Sequence, residues 1–310
     1  MLRVIRRSAD DTAIKMYKLV VSDLDGTLLG PDHRLGDYTR GVLARLHASG
    51  VDLVLASGRH FMDIRVLARM LADHAHGSGA PAGTCRAPAT RQTEHGYLIS
   101  CNGAAVNAAG GRLVQTTCLG AEPLGFLLRD ALFRDVHTNV FLTDAWLVEQ
   151  AEPGLLRYHQ ESGFRYQVVD FASLDRAEVL KVFYYGEHEH LVSLEAEILA
   201  RHGEQLGTTF SLPQTLEVMA AGVSKGAALS RLLDDLALTP AEVVCYGDGL
   251  NDLEMLRLVA DGGGLALLMG NADKRLHAAL PDLPRAGHHA DEAVARHLQG
   301  LLADGLLGIG

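Results

Sequence analysis

The sequence predicts an α/β fold: a parallel sheet covered by helices on both faces, with an α+β domain inserted into it. Three observations carry that prediction. Near both ends of the chain, short and nearly all-apolar runs alternate with amphipathic stretches of helical period, the pattern of strands buried on both faces. After Asn102 the pattern gives way to shorter, mixed elements, and it returns near Leu216. Two apolar runs end in acidic clusters, DLDGT after Ser22 and GDGLND after Tyr246, at the strand ends where open α/β sheets form their crevices.

The elements follow in order. Residues 1–16, with Arg3, Arg6, Arg7, Asp10 and Asp11, read as an N-terminal extension. Residues 17–22 read as a strand, and residues 35–49 as a helix with Leu35, Tyr38, Val42, Leu43 and Leu46 on one face, closed by Gly50. Residues 51–56 form a second strand, then a Ser-Gly-Arg turn leads into a helix over 61–71. Residues 73–96, rich in Gly, Ala, Pro, His and Thr, read as a long exposed loop. A strand over 97–101 runs into Asn-Gly-Ala. Strands over 112–116, 140–142, 146–149 and 179–185 then interleave with helices over 123–133 and 190–201, an α+β pattern. Helices over 224–236, 252–259 and 272–280 and strands over 243–246 and 265–268 restore the parallel-sheet grammar. The expected organisation is a core of residues 17–102 and 217–310 interrupted by an inserted domain over 103–216.

Bulk chemistry narrows the partners. A chain of 310 residues, 48% hydrophobic, has material for a substantial core and leans toward two domains. Its 28 Lys and Arg against 38 Asp and Glu give a formal charge of -10, a poor match to a nucleic-acid backbone or an anionic membrane, so small metabolites are the expected partners. The four cysteines show no CxxC spacing and read as small thiols in a reducing compartment. Residues 1–16 lack an apolar signal core and no apolar run reaches membrane-spanning length, so a cytoplasmic location is expected.

The acidic clusters carry the chemistry. Asp23, Asp25, Asp248 and Asp252 delivered to one crevice would repel one another unless a cation sat among them, and hard oxygen ligands point to Mg2+. Asp23 is the candidate nucleophile, since a carboxylate can attack a metal-polarised phosphorus and form an aspartyl-phosphate. Asp25 would protonate the leaving alkoxide and then deprotonate the attacking water. The metal would take carboxylate oxygens of Asp23 and Asp248 and the backbone carbonyl of Asp25, with Asn251 and Asp252 orienting the shell. Lys225, opening a helix after Gly222-Val223-Ser224, could neutralise the phosphoryl group, while Ser57 and the Gly58 amide offer further donors to phosphate.

Taken together, DLDGTLL, the Ser57-Gly58-Arg59 turn, Val223-Ser224-Lys225-Gly226 and GDGLND resemble the four ordered motifs of the haloacid dehalogenase-like phosphatases. The position of the insertion, with Asn-Gly-Ala at Asn102 and Met-Gly-Asn-Ala at Asn271, is similar to the Cof-type subfamily. The resemblance implies a Rossmann-like core with an inserted cap, Asp23 as nucleophile, Asn251 in reach of the phosphoryl group, Asp252 acting through water or Lys225, and Asn102 and Asn271 as supporting residues. Serine at 57 stands where many members have threonine, and keeps the hydroxyl. Residues 289–295, HADEAVA, depart from the family's usual ending, with Ala293 replacing a glycine.

The expected activity is Mg2+-dependent hydrolysis of small organic phosphate monoesters, sugar phosphates foremost. A phosphomutase would use the same aspartate pair, and a non-catalytic phosphometabolite-binding protein could share fold and metal, although binding alone needs neither Asp23 nor Asp25. A dinucleotide-binding oxidoreductase is disfavoured, because the first strand is not followed by GxGxxG. The close pairs His74 and His76, His188 and His190, and His288 and His289 lack convincing metal-site spacing and read as exposed loop residues.

Overall fold

The computed structural model describes residues 16–67, 96–160, 162–174 and 178–308. Residues 1–15 of the expected N-terminal extension, residues 68–71 of the expected 61–71 helix and residues 73–95 of the expected loop, with His74, His76 and Cys85, lie outside the described residues.

Two sheets organise these residues. The first has seven strands in the order β13-β12-β1-β2-β3-β4-β5. Its parallel centre comprises β1 (Leu19–Asp23), β2 (Asp52–Ala56), β3 (Tyr97–Ser100), β12 (Val243–Gly247) and β13 (Leu265–Leu268). The edge strands β4 (Ala105–Ala108) and β5 (Leu113–Thr116) run antiparallel, so the sheet is mixed where the sequence suggested a parallel one. The chain moves outward from β1 through β2 and β3, then returns to lay β12 on the other side of β1. That reversal opens a crevice at the carboxyl ends of β1 and β12.

Strand alternation divides the core. Val20, Val244 and Tyr246 face α1 (Asp37–Ala48) and α8 (Ala293–Ala303), burying Val42, Leu43, Leu46, Val294 and Leu298. Leu19, Val21, Val243 and Cys245 face α5 (Lys225–Leu236) and α6 (Leu253–Asp261), burying Leu229, Leu232, Leu233, Met255 and Val259. Where the family pattern has a glycine, Ala293 is the first residue of α8 and Glu292 before it takes the left-handed conformation, φ 51°. The Glu292 carboxylate accepts from the backbone N–H and hydroxyl of Thr39, both 2.7 Å, and so ties the first turn of α1 to the start of α8.

The second sheet has the order β10-β11-β9-β6-β7-β8. It contains β6 (His137–Phe141), β7 (Trp146–Val148), β8 (Tyr166–Val168), β9 (Lys181–Tyr185), β10 (Leu206–Leu212) and β11 (Thr215–Ala220). One face buries Leu124 and Leu127 of α3 (Ala121–Arg129) and Leu191, Leu194 and Ile198 of α4 (His188–His202). The other places Phe141, Trp146 and Phe183 against Cys101, Ala104 and Ala105 of the first sheet's edge. The boundaries read from sequence therefore move: residues 105–116 belong to the first sheet and residues 217–220 to the second. Short mixed strands after Asn102 look alike in sequence, and only their pairing partners distinguish them. A second correction concerns His188 and His190, which begin helix α4 instead of lying in a loop.

Candidate active site

The acidic clusters do converge. Asp23 ends β1, the central strand of the reversal, and is 6% exposed. Asp248 follows β12 directly. Between them the loop after Asp23 turns at Gly26, φ 80°, where an added Cβ would lie 2.3 Å from an Asp248 carboxylate oxygen. Only glycine lets the two strand ends approach this closely. Thr27, a residue the sequence reading passed over, donates its hydroxyl to Asp248 Oδ1 at 2.8 Å.

Lys225 is fully buried at the first position of α5, whose N-terminus is capped by Ser224 Oγ accepting from the Ala227 amide. Its ammonium donates to Asp23 Oδ1 at 2.5 Å and Asp252 Oδ1 at 2.7 Å. Burial alone would pull the lysine's pKa down, but Asp23 and Asp252 outweigh it and hold the group above its ordinary value. Asp252 Oδ2 accepts the amides of Asp248 and Gly249, both 2.9 Å, so this carboxylate braces the turn that presents Asp248. Helix α6 starts one residue later than expected, at Leu253, because Asp252 belongs to the preceding 3-10 turn.

Carboxylate oxygens of Asp23, Asp248 and Asp252 all lie within 4.8 Å of one another, a cluster able to coordinate a divalent cation. Its electrostatics fit that use, since three carboxylates face one ammonium. Burial, then the charges of Asp252 and Asp248, raises Asp23 well above the carboxylate range against the pull of Lys225. Burial and Asp252 push Asp248 up to about 6. A divalent ion would relieve both.

Asp25 is placed differently. Its side chain is 37% exposed at the mouth of the crevice and is not among the clustered carboxylates. Arg59 grips both of its oxygens, with Nε 2.8 Å from Oδ2 and Nη2 on Oδ1, and His33 Nδ1 lies 3.0 Å from Oδ1. Burial alone would lower the pKa of the Arg59 guanidinium, but Asp25, with Asp63 and Asp23, outweighs it and holds the group above its ordinary value. The Ser-Gly-Arg motif carried a signal for Arg59, whereas His33 sits in a loop with no local signature.

The remaining expected residues form the walls. Ser57, 2% exposed, follows β2 and accepts the Arg59 amide on Oγ at 3.1 Å, which leaves its hydroxyl proton free to donate. Gly58 packs against Asn102, whose Oδ1 would lie 2.9 Å from an added Cβ. Asn251 Nδ2 donates to Asn102 Oδ1 at 3.1 Å. Asn271 Nδ2 donates to the Gly26 carbonyl at 2.7 Å and its Oδ1 accepts the His289 amide, so it pins the Asp23 loop to the segment before α8. His33 and Arg59, the two partners of Asp25, help line a cavity of about 250 Å³, together with Arg34 and Asp63 near the first sheet and Arg157 and Gln160 from the second-sheet region.

The model of the haloacid dehalogenase-like hydrolase family matches residues 20–298. Two proteins named HMP-PP phosphatase, from Cronobacter sakazakii and Escherichia coli, are 36% and 34% identical to the chain over 283 residues, covering 91% of it and 95% of each relative. A haloacid dehalogenase-like hydrolase from Bacteroides thetaiotaomicron superposes with a TM-score of 0.76 at 26% identity, covering 92% of this chain and 99% of its own. Another from B. subtilis shares the fold, with a TM-score of 0.73 at 23% identity over 92% of this chain and 99% of its own. The chain belongs to the haloacid dehalogenase-like hydrolases and is a Cof-type phosphatase of that family.

Proposed function

We propose that this phosphatase hydrolyses phosphate monoesters of small metabolites through an aspartyl-phosphate on Asp23, with Mg2+ as its cofactor. The observation that carries the reading is the division between the two aspartates. Asp23 is buried against Lys225 and beside Asp248, while Asp25, two residues on, stands at the mouth in the grip of Arg59. A nucleophile belongs in the first environment and a group that exchanges protons with leaving group and water in the second.

Mg2+, held by Asp23 and Asp248 with the Asp25 carbonyl, would supply charge neutralisation and polarisation of the phosphoryl oxygens. Lys225 stabilises the negative charge that develops on the phosphoryl group, the Ser57 hydroxyl and Gly58 amide orient its oxygens, and Asn251 contacts it from the opposite loop. Asp25 gives its proton to the departing oxygen, that of an alkoxide from a monoester or of a phosphate from a diphosphate such as HMP-PP, and then removes one from the water that hydrolyses the aspartyl-phosphate. The second sheet and its helices act as the cap, and the cavity beside Asp25 receives the leaving group.

The name HMP-PP phosphatase carried by relatives at 34–36% identity supports HMP-PP as the first candidate substrate to try, with sugar phosphates next. The test is phosphate release from HMP-PP, sugar phosphates, nucleotides, pyridoxal phosphate and flavin mononucleotide, with and without Mg2+. Rapid-quench peptide mapping during turnover should then find phosphate on Asp23. Phosphate on Ser57 or a histidine, with Asp23 unmodified, would overturn the mechanism.

A further inference from the structure

We infer that Lys181 and Glu217, both carried by the second sheet, are positioning residues for the phosphate pocket of the first; this rests on the phosphatase reading above. The two sit on neighbouring antiparallel strands, β9 and β11, where Glu217 pairs in register with Phe183. Both side chains are buried, and their charges are 3.0 Å apart. The Lys181 ammonium lies 5.0 Å from the Phe141 ring centroid and 5.5 Å from that of Phe183, in the layer that meets the first sheet. Apolar residues at such a place are often as stabilising as an ion pair, so the contacts the pair makes beyond itself need a reason.

Those contacts end at the phosphate pocket. Lys181 Nζ donates to the Gly58 carbonyl at 2.8 Å. Because a peptide unit is planar and trans, fixing that carbonyl fixes the Arg59 N–H on the opposite side of the same unit, and the Arg59 N–H is the donor that occupies Ser57 Oγ. Lys181 therefore sets which way the Ser57 hydroxyl proton is free to point. Glu217 acts on the other wall. Its Oε2 accepts from Asn102 Nδ2 at 2.6 Å, which orients the amide so that Asn102 Oδ1 receives Asn251 Nδ2. Asn102 itself is held in the left-handed conformation, φ 54°, by its own amide bonding the Ser57 carbonyl at 3.0 Å. Gly58, Lys181, Glu217 and Asn102 thus close a ring around residues that would touch the phosphoryl group. Half of that ring belongs to the other sheet, so the pocket is complete only with the two sheets docked.

The test compares Lys181→Met, Glu217→Gln and the double variant K181M/E217L with the wild type. Its readouts are the inhibition constant of orthophosphate, kcat/KM for p-nitrophenyl phosphate, the Mg2+ dissociation constant and the thermal midpoint. The single variants should lose both stability and phosphate affinity. The double variant should recover stability, because no charge is left unpaired, yet still bind orthophosphate at least about 10-fold more weakly and lose about 10- to 100-fold in kcat/KM, with Mg2+ affinity unchanged. A purely structural pair would regain its kinetic constants along with its stability, and that result overturns the proposal. Should the double variant not fold, E217Q below its unfolding range decides by the same two constants, wild-type values counting against it. A wild type that releases no phosphate from any ester tried sinks the phosphatase reading, not this pairing.

Discussion

Two buried clusters of charge meet at one pocket, and they differ in balance. Around Lys225, three carboxylates face a single ammonium; around Lys181, one carboxylate faces one ammonium, with a backbone carbonyl and two aromatic rings completing the shell. The second cluster satisfies itself and needs no further ion. The first carries an excess of buried negative charge, and burial together with the neighbouring carboxylates raises the pKa values of Asp23 and Asp248. That excess is unfavourable to the fold on its own, and under the proposed function a cation and a phosphoryl group put it to use. On that proposal, imbalance marks the place of chemistry and balance the frame around it.

The contrast can be broken most forcefully at Asp23. Asp23→Asn keeps the shape and removes the proposed nucleophile, so turnover should fall by about 10⁵-fold or more. Rapid-quench labelling should find no phosphoenzyme, and retained labelling elsewhere would move the reaction out of this cluster. Asp25→Asn should cost about 10²- to 10⁴-fold in kcat with little loss of stability, because Asp25 is partly exposed and an amide still accepts from Arg59. A variant that instead unfolds would make Asp25 part of the frame.

Lys225→Met leaves the carboxylates unpaired. It should lower kcat by about 10²- to 10³-fold and cost about 3–5 kcal/mol in stability, read from denaturant unfolding. A stable K225M protein would mean that the cluster is less unbalanced than its geometry says.

The smallest effect concerns Mg2+ and pH. Both Asp23 and Asp248 have folded pKa values above those of the unfolded chain. Their protonated forms therefore support the metal-free fold below about pH 4, and that contribution is lost as pH rises through about 6 for Asp248. Mg2+ should accordingly raise the thermal midpoint more at pH 7.5 than at pH 5, by about 5 °C at a hundredfold excess over its dissociation constant. Asp248→Asn should raise the metal-free midpoint and abolish the Mg2+ increment in calorimetry; unchanged Mg2+ binding in D248N would remove Asp248 from the ligand set.

Much of the site was legible before any fold was known. Asp23, Asp248 and Ser57 each follow an apolar run within a residue or two, so chain connectivity itself carries them to strand ends. Lys225 follows a capping serine at a helix start, another local signal. Arg59 was visible in its motif, but its two-pronged hold on Asp25 was not, because the partners are separated by a strand, a helix and a turn. Glu217 had a faint signature, a lone acid inside the apolar strand Thr215–Ala220, and Lys181 a similar one at the start of β9. Neither could be assigned a partner from spacing.

The sequence by itself determined the alternation of strands and helices, the interruption of the core pattern and the acidic strand ends, because periodicity and chain neighbourhood act over a few residues. Tertiary structure alone decided which sheet the short strands after Asn102 would join, which carboxylates share Lys225, and that Lys181 and Glu217 would reach across to Gly58 and Asn102. Those outcomes depend on strand pairing and on burial that local pattern does not encode; Lys181 and Gly58 are 123 positions apart and Glu217 and Asn102 are 115, so each buried charge finds its partner only after both sheets have packed.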